Sequence, residues 1–140
     1  MENISLNHYK SCLRFYIICY VCVSLFMLIL PIIDFNLWLV FLMIEGIFTI
    51  IFLIPIIIIV VCIFRSKHAI NGELLIGQIK DFESTFSILP MPRIAFKVKM
   101  PNGDVITTAG VIKNNDVDKY RGKEIQLARY KKKIYCLMIV

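Results

Sequence analysis

The sequence predicts a membrane α-helical hairpin of two transmembrane helices followed by a C-terminal all-β domain, a small five-stranded antiparallel barrel of SH3-like or OB-like type. Three observations carry that expectation. Hydrophobic residues make up 59% of the 140-residue chain, above the ~45–50% of an ordinary globular protein. The excess is confined to one half: between positions 13 and 64 only Arg14, Asp34 and Glu45 are charged, whereas 65–140 hold 14 Lys or Arg against 7 Asp or Glu. From residue 71 onward, continuous apolar runs give way to alternation punctuated by turn residues, the pattern of half-buried strands. The expected division is a hairpin segment over 1–69 and a cytoplasmic β-domain over 70–140.

The first apolar run, 13–33, covers the ~30 Å hydrocarbon core of a bilayer at ~1.5 Å per residue. The second, 37–64, is longer than an untilted span requires. Glu45-Gly46 offers a place for it to break, which would leave 37–44 with Trp38 at the outer interface as an aromatic anchor. Pro55 would kink the second helix, which membranes tolerate. Two fully apolar helices could not be covered from water by the rest of so short a chain. A cleaved signal peptide is disfavoured, because the first run is too long and no small-x-small site follows it.

Flanking charge predicts the orientation. Lys10 and Arg14 precede or open the first span, Arg65, Lys67 and His68 follow the second, and the connecting 31–36 has no Lys or Arg, so both termini should face the cytoplasm of a cell (inner or plasma) membrane. Pro31 and the Asp34–Asn36 stretch supply the stop and turn. Of the five cysteines, Cys19, Cys22 and Cys62 fall in the spans, Cys12 at the inner interface and Cys136 in the β-domain. Free thiols are expected on a reducing face; Cys19-x-x-Cys22 reads as packing rather than a redox or metal motif, and Cys12 is a juxtamembrane position open to palmitoylation.

In the second half, 74–82 reads as a strand with Gly77 marking a bulge or bend, and 83–92 as a loop rich in Ser, Thr and Pro. Residues 93–100 alternate, with Ile94, Phe96, Val98 and Met100 on one face, and Pro101-Asn102-Gly103-Asp104 leads into a strand over 105–112. Asn-Gly between strands signals a hairpin whose two central residues both take positive φ. Residues 113–119 are polar and turn-forming, and two more strands are expected over 124–130 and 134–139, joined by Lys131–Lys133. The core is expected from Leu75, Ile79, Ile94, Phe96, Val98, Ile106, Ile125, Leu127 and Leu137, with the last strand ending the chain inside the sheet.

Gly77-Gln78-Ile79, the Pro101-Asn102-Gly103 hairpin and the run 120–130 (YRGKEIQLARY) resemble bacterial families of unknown function in which a two-helix membrane hairpin precedes a small β-barrel. The resemblance implies an architecture and transfers no functional residue. Lys131 stands where that pattern often has Pro.

Glu45 is the ionisable residue best placed to be inside the hydrocarbon, where a charge costs ~2.5 kcal/mol or more; with Gly46 and Thr49, small residues that let helices approach, it forms a candidate intramembrane partner contact, unless it sits at the outer interface. The net +7 of residues 65–140 makes Arg65, Lys67, Arg121, Lys123, Arg129, Lys131, Lys132 and Lys133 a candidate surface for anionic phospholipid headgroups or a protein partner. Tyr120, Tyr130 and Tyr135 beside these cations could stack on a nucleic acid, an unlikely use for a membrane-tethered domain. His8 and His68 flank the spans, and no catalytic set, phosphate loop or metal-ligand spacing can be assembled, so no catalytic, cofactor or metal residue is expected. The expected function is a non-enzymatic membrane-anchored interaction or accessory module; the alternatives are an immunity protein that neutralises a toxin through the hairpin, and a tethered nucleic-acid-binding barrel.

Overall fold

The computed structural model describes residues 3–85, 93–109 and 118–140. Helix α1 (Ile4–Met27), a short α2 (Ile29–Ile33) and α3 (Trp38–His68) are followed by β1 (Glu73–Thr85), β2 (Arg93–Lys99), β3 (Val105–Thr107), β4 (Glu124–Tyr130) and β5 (Lys133–Ile139). The contacts divide the chain into two compact units. One is the hairpin Lys10–Val61; the other joins residues 3–9 to Cys62–Val140.

Two helical stretches, Ile4–Ile33 and Phe35–Asn71, are long and apolar enough to cross a membrane. Both overrun the expected 13–33 and 37–64, because the flanking polar residues continue the helix and attach to the sheet unit. No break occurs at Glu45-Gly46: α3 is continuous across it, since a single glycine costs a helix only ~1 kcal/mol relative to Ala. The turn forms where expected, with Asp34 accepting from the Asn36 backbone N–H at 2.9 Å to start a 3-10 turn at Phe35–Leu37, the usual short-range bond of an Asx residue.

The sheet is antiparallel with strand order β3-β2-β1-β4-β5. β1 pairs with β4 through its first half and with β2 through its second. A register shift between Ile79 and Asp81 bends it between the two partners. The bulge is therefore at Lys80, not at Gly77. Gly77 is required for close approach instead: a Cβ there would lie 2.4 Å from Val98 Cγ1 and 3.0 Å from the Lys99 carbonyl oxygen. β1 also runs to Thr85, into the stretch expected to be a loop; residues 86–92, 110–112 and 113–117 of the expected loop, strand and turn lie outside the described residues.

Among the described residues the sheet is not closed into a barrel. The segment just after β3 meets the other edge strand, β5, through one backbone bond among the described residues, Ala109 N–H to the Ile134 carbonyl at 2.9 Å. β3, only Val105–Thr107 long, is too short to offer a full ladder.

The β2–β3 hairpin is present, but its turn differs from expectation. Gly103 N–H bonds the Met100 carbonyl at 2.9 Å and only Gly103 has positive φ (91°). Pro101, whose ring holds φ near −65°, occupies the first corner, so Asn-Gly moves on by one position and gives a turn followed by a left-handed glycine. The doubly left-handed turn occurs at Lys131 (φ 46°) and Lys132 (φ 65°), between β4 and β5.

The core comprises Ile79, Phe96, Val98, Ile125, Leu127 and Cys136, flanked by Leu75, Ile106, Phe82, Met100, Tyr120, Ile134 and Ile4. Cys136 takes the inward place expected of Leu137. The β4–β5 register shifts between Gln126 and Leu127, so Gln126 faces Met138 while Leu127 faces Cys136, and one extra residue reverses the alternation. Ile94 and Leu137 are buried but outside this cluster. Ile4 enters from the first turn of α1, accompanied by Ser5, whose Oγ accepts from the Cys136 N–H at 2.9 Å, and by Asn3, whose Nδ2 donates to the Ser66 carbonyl at 3.0 Å.

Candidate functional site

Two places gather the residues singled out by sequence, and each belongs to one unit. In the hairpin, α1 and α3 run antiparallel so that Ser24 meets Glu45 and Tyr20 meets Thr49. The Ser24 hydroxyl donates to Glu45 Oε1 at 2.5 Å, and the Tyr20 and Thr49 hydroxyls lie 2.9 Å apart. Four-residue spacing on each helix places both pairs on one seam, continued by Phe52 against the rings of Tyr16 and Tyr20. Glu45 Oε2 is buried with no hydrogen-bond partner among the described residues. Gly46 lies off this seam: a Cβ there would meet nothing within 4 Å. Sequence reasoning found Glu45 and Thr49 and missed Tyr20 and Ser24, although their matching spacing was the available signal.

The second place is the basic end of the sheet unit. The eight cations expected as one surface are divided by β4: Arg121 and Lys123 precede it and Lys131–Lys133 follow it, roughly 20 Å away at ~3.3 Å per residue. Arg121 lies over the Phe82 ring, 5.4 Å from its centroid, at the bulged part of β1. At the opposite end, Arg129 pairs with Glu73 at 3.3 Å, the 3-10 turn Ala69–Asn71 packs beside β4, and a Cβ on Gly72 would lie 2.3 Å from the Arg129 carbonyl oxygen. This is the end at which α3 delivers the chain into β1. Burial pushes the Tyr135 phenol up, with Cys62 adding to that effect and Arg65 opposing it.

The three tyrosines do not form a stacking row. Tyr135 is 2% exposed and Tyr120 packs on Phe96, with ring centroids 5.8 Å apart. Cys12, the palmitoylation candidate, is also 2% exposed. None of the five cysteines forms a disulfide. Burial pushes the Cys136 thiol up to about 12, opposed by its hydrogen bond with Thr108, which keeps it a protonated, unreactive core residue.

Beside the bulge, a groove of about 310 Å³ is lined by Ile76, Gly77, Gln78, Lys99, Met100, Pro101 and Glu124. Next to it Leu74 and Ile76 leave about half their surface exposed (51% and 53%). Its lining mixes apolar Ile76, Met100 and Pro101 with one charge of each sign, Lys99 and Glu124. Comparison with protein-family models, with curated proteins and with solved structures found no match.

Proposed function

We propose that this chain is a non-enzymatic, membrane-anchored protein-interaction or accessory module. In this reading the hairpin lies in the cell membrane with both ends facing the cytoplasm, and it holds the basic β-domain, taken as a small barrel whose seam begins at the Ala109–Ile134 bond, close to the inner leaflet. The observation that carries it is the bareness of the two helices. Phe26, Ile32, Ile33, Leu39 and Met43 are each more than 60% exposed, within an almost unbroken apolar surface. At ~25 cal/mol per Å² such a surface is costly in water, whereas lipid accepts helices because their backbone groups are bonded internally. The interaction role is supported by exposed Leu74 and Ile76 beside the groove.

A second reading, an immunity protein acting through the hairpin, is favoured by the Ser24–Glu45 pair, an expensive group retained at helix depth. Carbonate extraction of native membranes tests anchoring: release into the supernatant refutes it. Affinity purification of the full chain, with Ile76→Asp and Glu45→Gln run beside it, separates the roles. Partners lost with Ile76→Asp support the sheet module, and partners lost only with Glu45→Gln support the hairpin.

A further inference from the structure

We infer that the Lys131–Lys132 reverse turn is a headgroup-contacting finger that, with Lys133 and Arg65, docks the β-domain onto anionic phospholipids of the membrane. The inference rests on the membrane reading above and deepens it by naming the lipid class and the residues that meet it.

The first support is conformational. Both central residues of the turn have positive φ, 46° and 65°, a backbone that Asn-Gly fills at least cost and that residues with a long side chain adopt unfavourably. The chain carries Asn102-Gly103 in its other hairpin and lysines here. Folding alone favours the reverse allocation, so charge is what these two positions retain.

The second support is placement. The turn lies one residue beyond Arg129 and Tyr130, at the end of the sheet where Gly72 backs onto Arg129 and Glu73 pairs with it. Arg65 lies in the last turn of the membrane-length helix α3, a few residues before the 3-10 turn Ala69–Asn71 that packs beside β4 at this end. A domain tethered here presents this end at high effective concentration to any bilayer that holds the helix.

The third support is availability. Lys131, Lys132 and Lys133 are exposed, and none lies within ion-pair distance of a carboxylate among the described residues, whereas Arg129 and Lys97 are engaged by Glu73 and Glu83. Lys131 Nζ sits 5.6 Å from the Tyr130 ring centroid, and an aromatic of this amphipathic kind settles at headgroup level. Each cation near an anionic leaflet strengthens binding about fivefold.

The test uses the full chain in neutral detergent, with phosphatidylglycerol titrated into the micelles and thermal unfolding of the sheet as the readout. The wild type is expected to show a salt-sensitive rise in Tm with lipid. Lys131→Asn with Lys132→Gly, which installs the preferred pair, is expected to melt at the same or a higher temperature without lipid and to need roughly thirtyfold more phosphatidylglycerol for half its shift. Lys131→Arg with Lys132→Arg is expected to keep the wild-type response. An Asn-Gly variant that responds like the wild type overturns the inference. So does a wild type that responds to a polyglutamate peptide and not to lipid, which would assign the turn to an acidic protein. Carbonate extraction of the same variants reports on anchoring separately: release refutes the membrane reading, while a retained variant with an unchanged lipid response refutes the finger alone.

Discussion

Replacing Ser5 by Ala should loosen β5, a strand whose Cys136 lies 131 residues away in sequence. Ser5 is fully buried, and its hydroxyl receives the Cys136 N–H at 2.9 Å. β5 is an edge strand, so this amide, on the side away from β4, depends on α1 for its partner. Ser5→Ala removes a bond worth ~1 kcal/mol net and leaves a desolvated donor that costs ~1–3 kcal/mol, for a loss of about 2 kcal/mol. Hydrogen exchange on the full chain in neutral detergent, read on a peptide containing Cys136, should accelerate about thirtyfold. The melting transition of the sheet should fall by roughly 8–16 °C for a domain of this size. Unchanged exchange at Cys136 with unchanged melting would refute the reasoning, since the N-terminal turn would then not hold the edge strand.

The Cys136 thiol, pushed up to about 12 from a reference of 9.0, sets an alkaline limit. Above pH 9 the unfolded chain releases a proton that the folded chain keeps, so this contribution is complete below pH 9 and is lost as pH rises toward 12, by up to about 4 kcal/mol; denaturant titrations between pH 8 and 11 should show a shallower slope in Cys136→Ala than in the wild type, the raised Tyr135 phenol supplying part of what remains. Gly77→Ala should cost about 1–3 kcal/mol, because Val98, which the new methyl would meet at 2.4 Å, is itself buried; urea unfolding with an unchanged midpoint would contradict the close approach. Tyr20→Phe and Ser24→Ala should each destabilise the hairpin by about 0.6–1.7 kcal/mol, measurable by unfolding in mixed sodium dodecyl sulfate micelles, and wild-type behaviour of both would rule out the polar seam.

Much of the architecture was legible because it rests on short-range chemistry. Continuous apolar runs can only be helices in lipid or in a large core, alternation over 93–100 can only be a half-buried strand, and the Asp34 and Asn102-Gly103 turns lie where turn residues cluster. The candidate site was legible by residue type: Glu45, Thr49 and the basic clusters stand out against their surroundings without any knowledge of contacts.

Tertiary structure decided what depends on pairing. Register is not written in a strand's own residues, so only the β4–β5 bulge reveals that Cys136 replaces Leu137 in the core, and only strand length separates Arg121 and Lys123 from the lysine turn. Turn type depends on which residue reaches the first corner, and Pro101 shifted the glycine there while the closing geometry of β4 and β5 imposed positive φ on two lysines. Residues 3–5 carry no local motif, yet they reach the core with Ile4 and satisfy an edge strand with Ser5. A buried donor recruits whatever acceptor the fold brings within 3 Å, and nothing local in sequence announces which one that is.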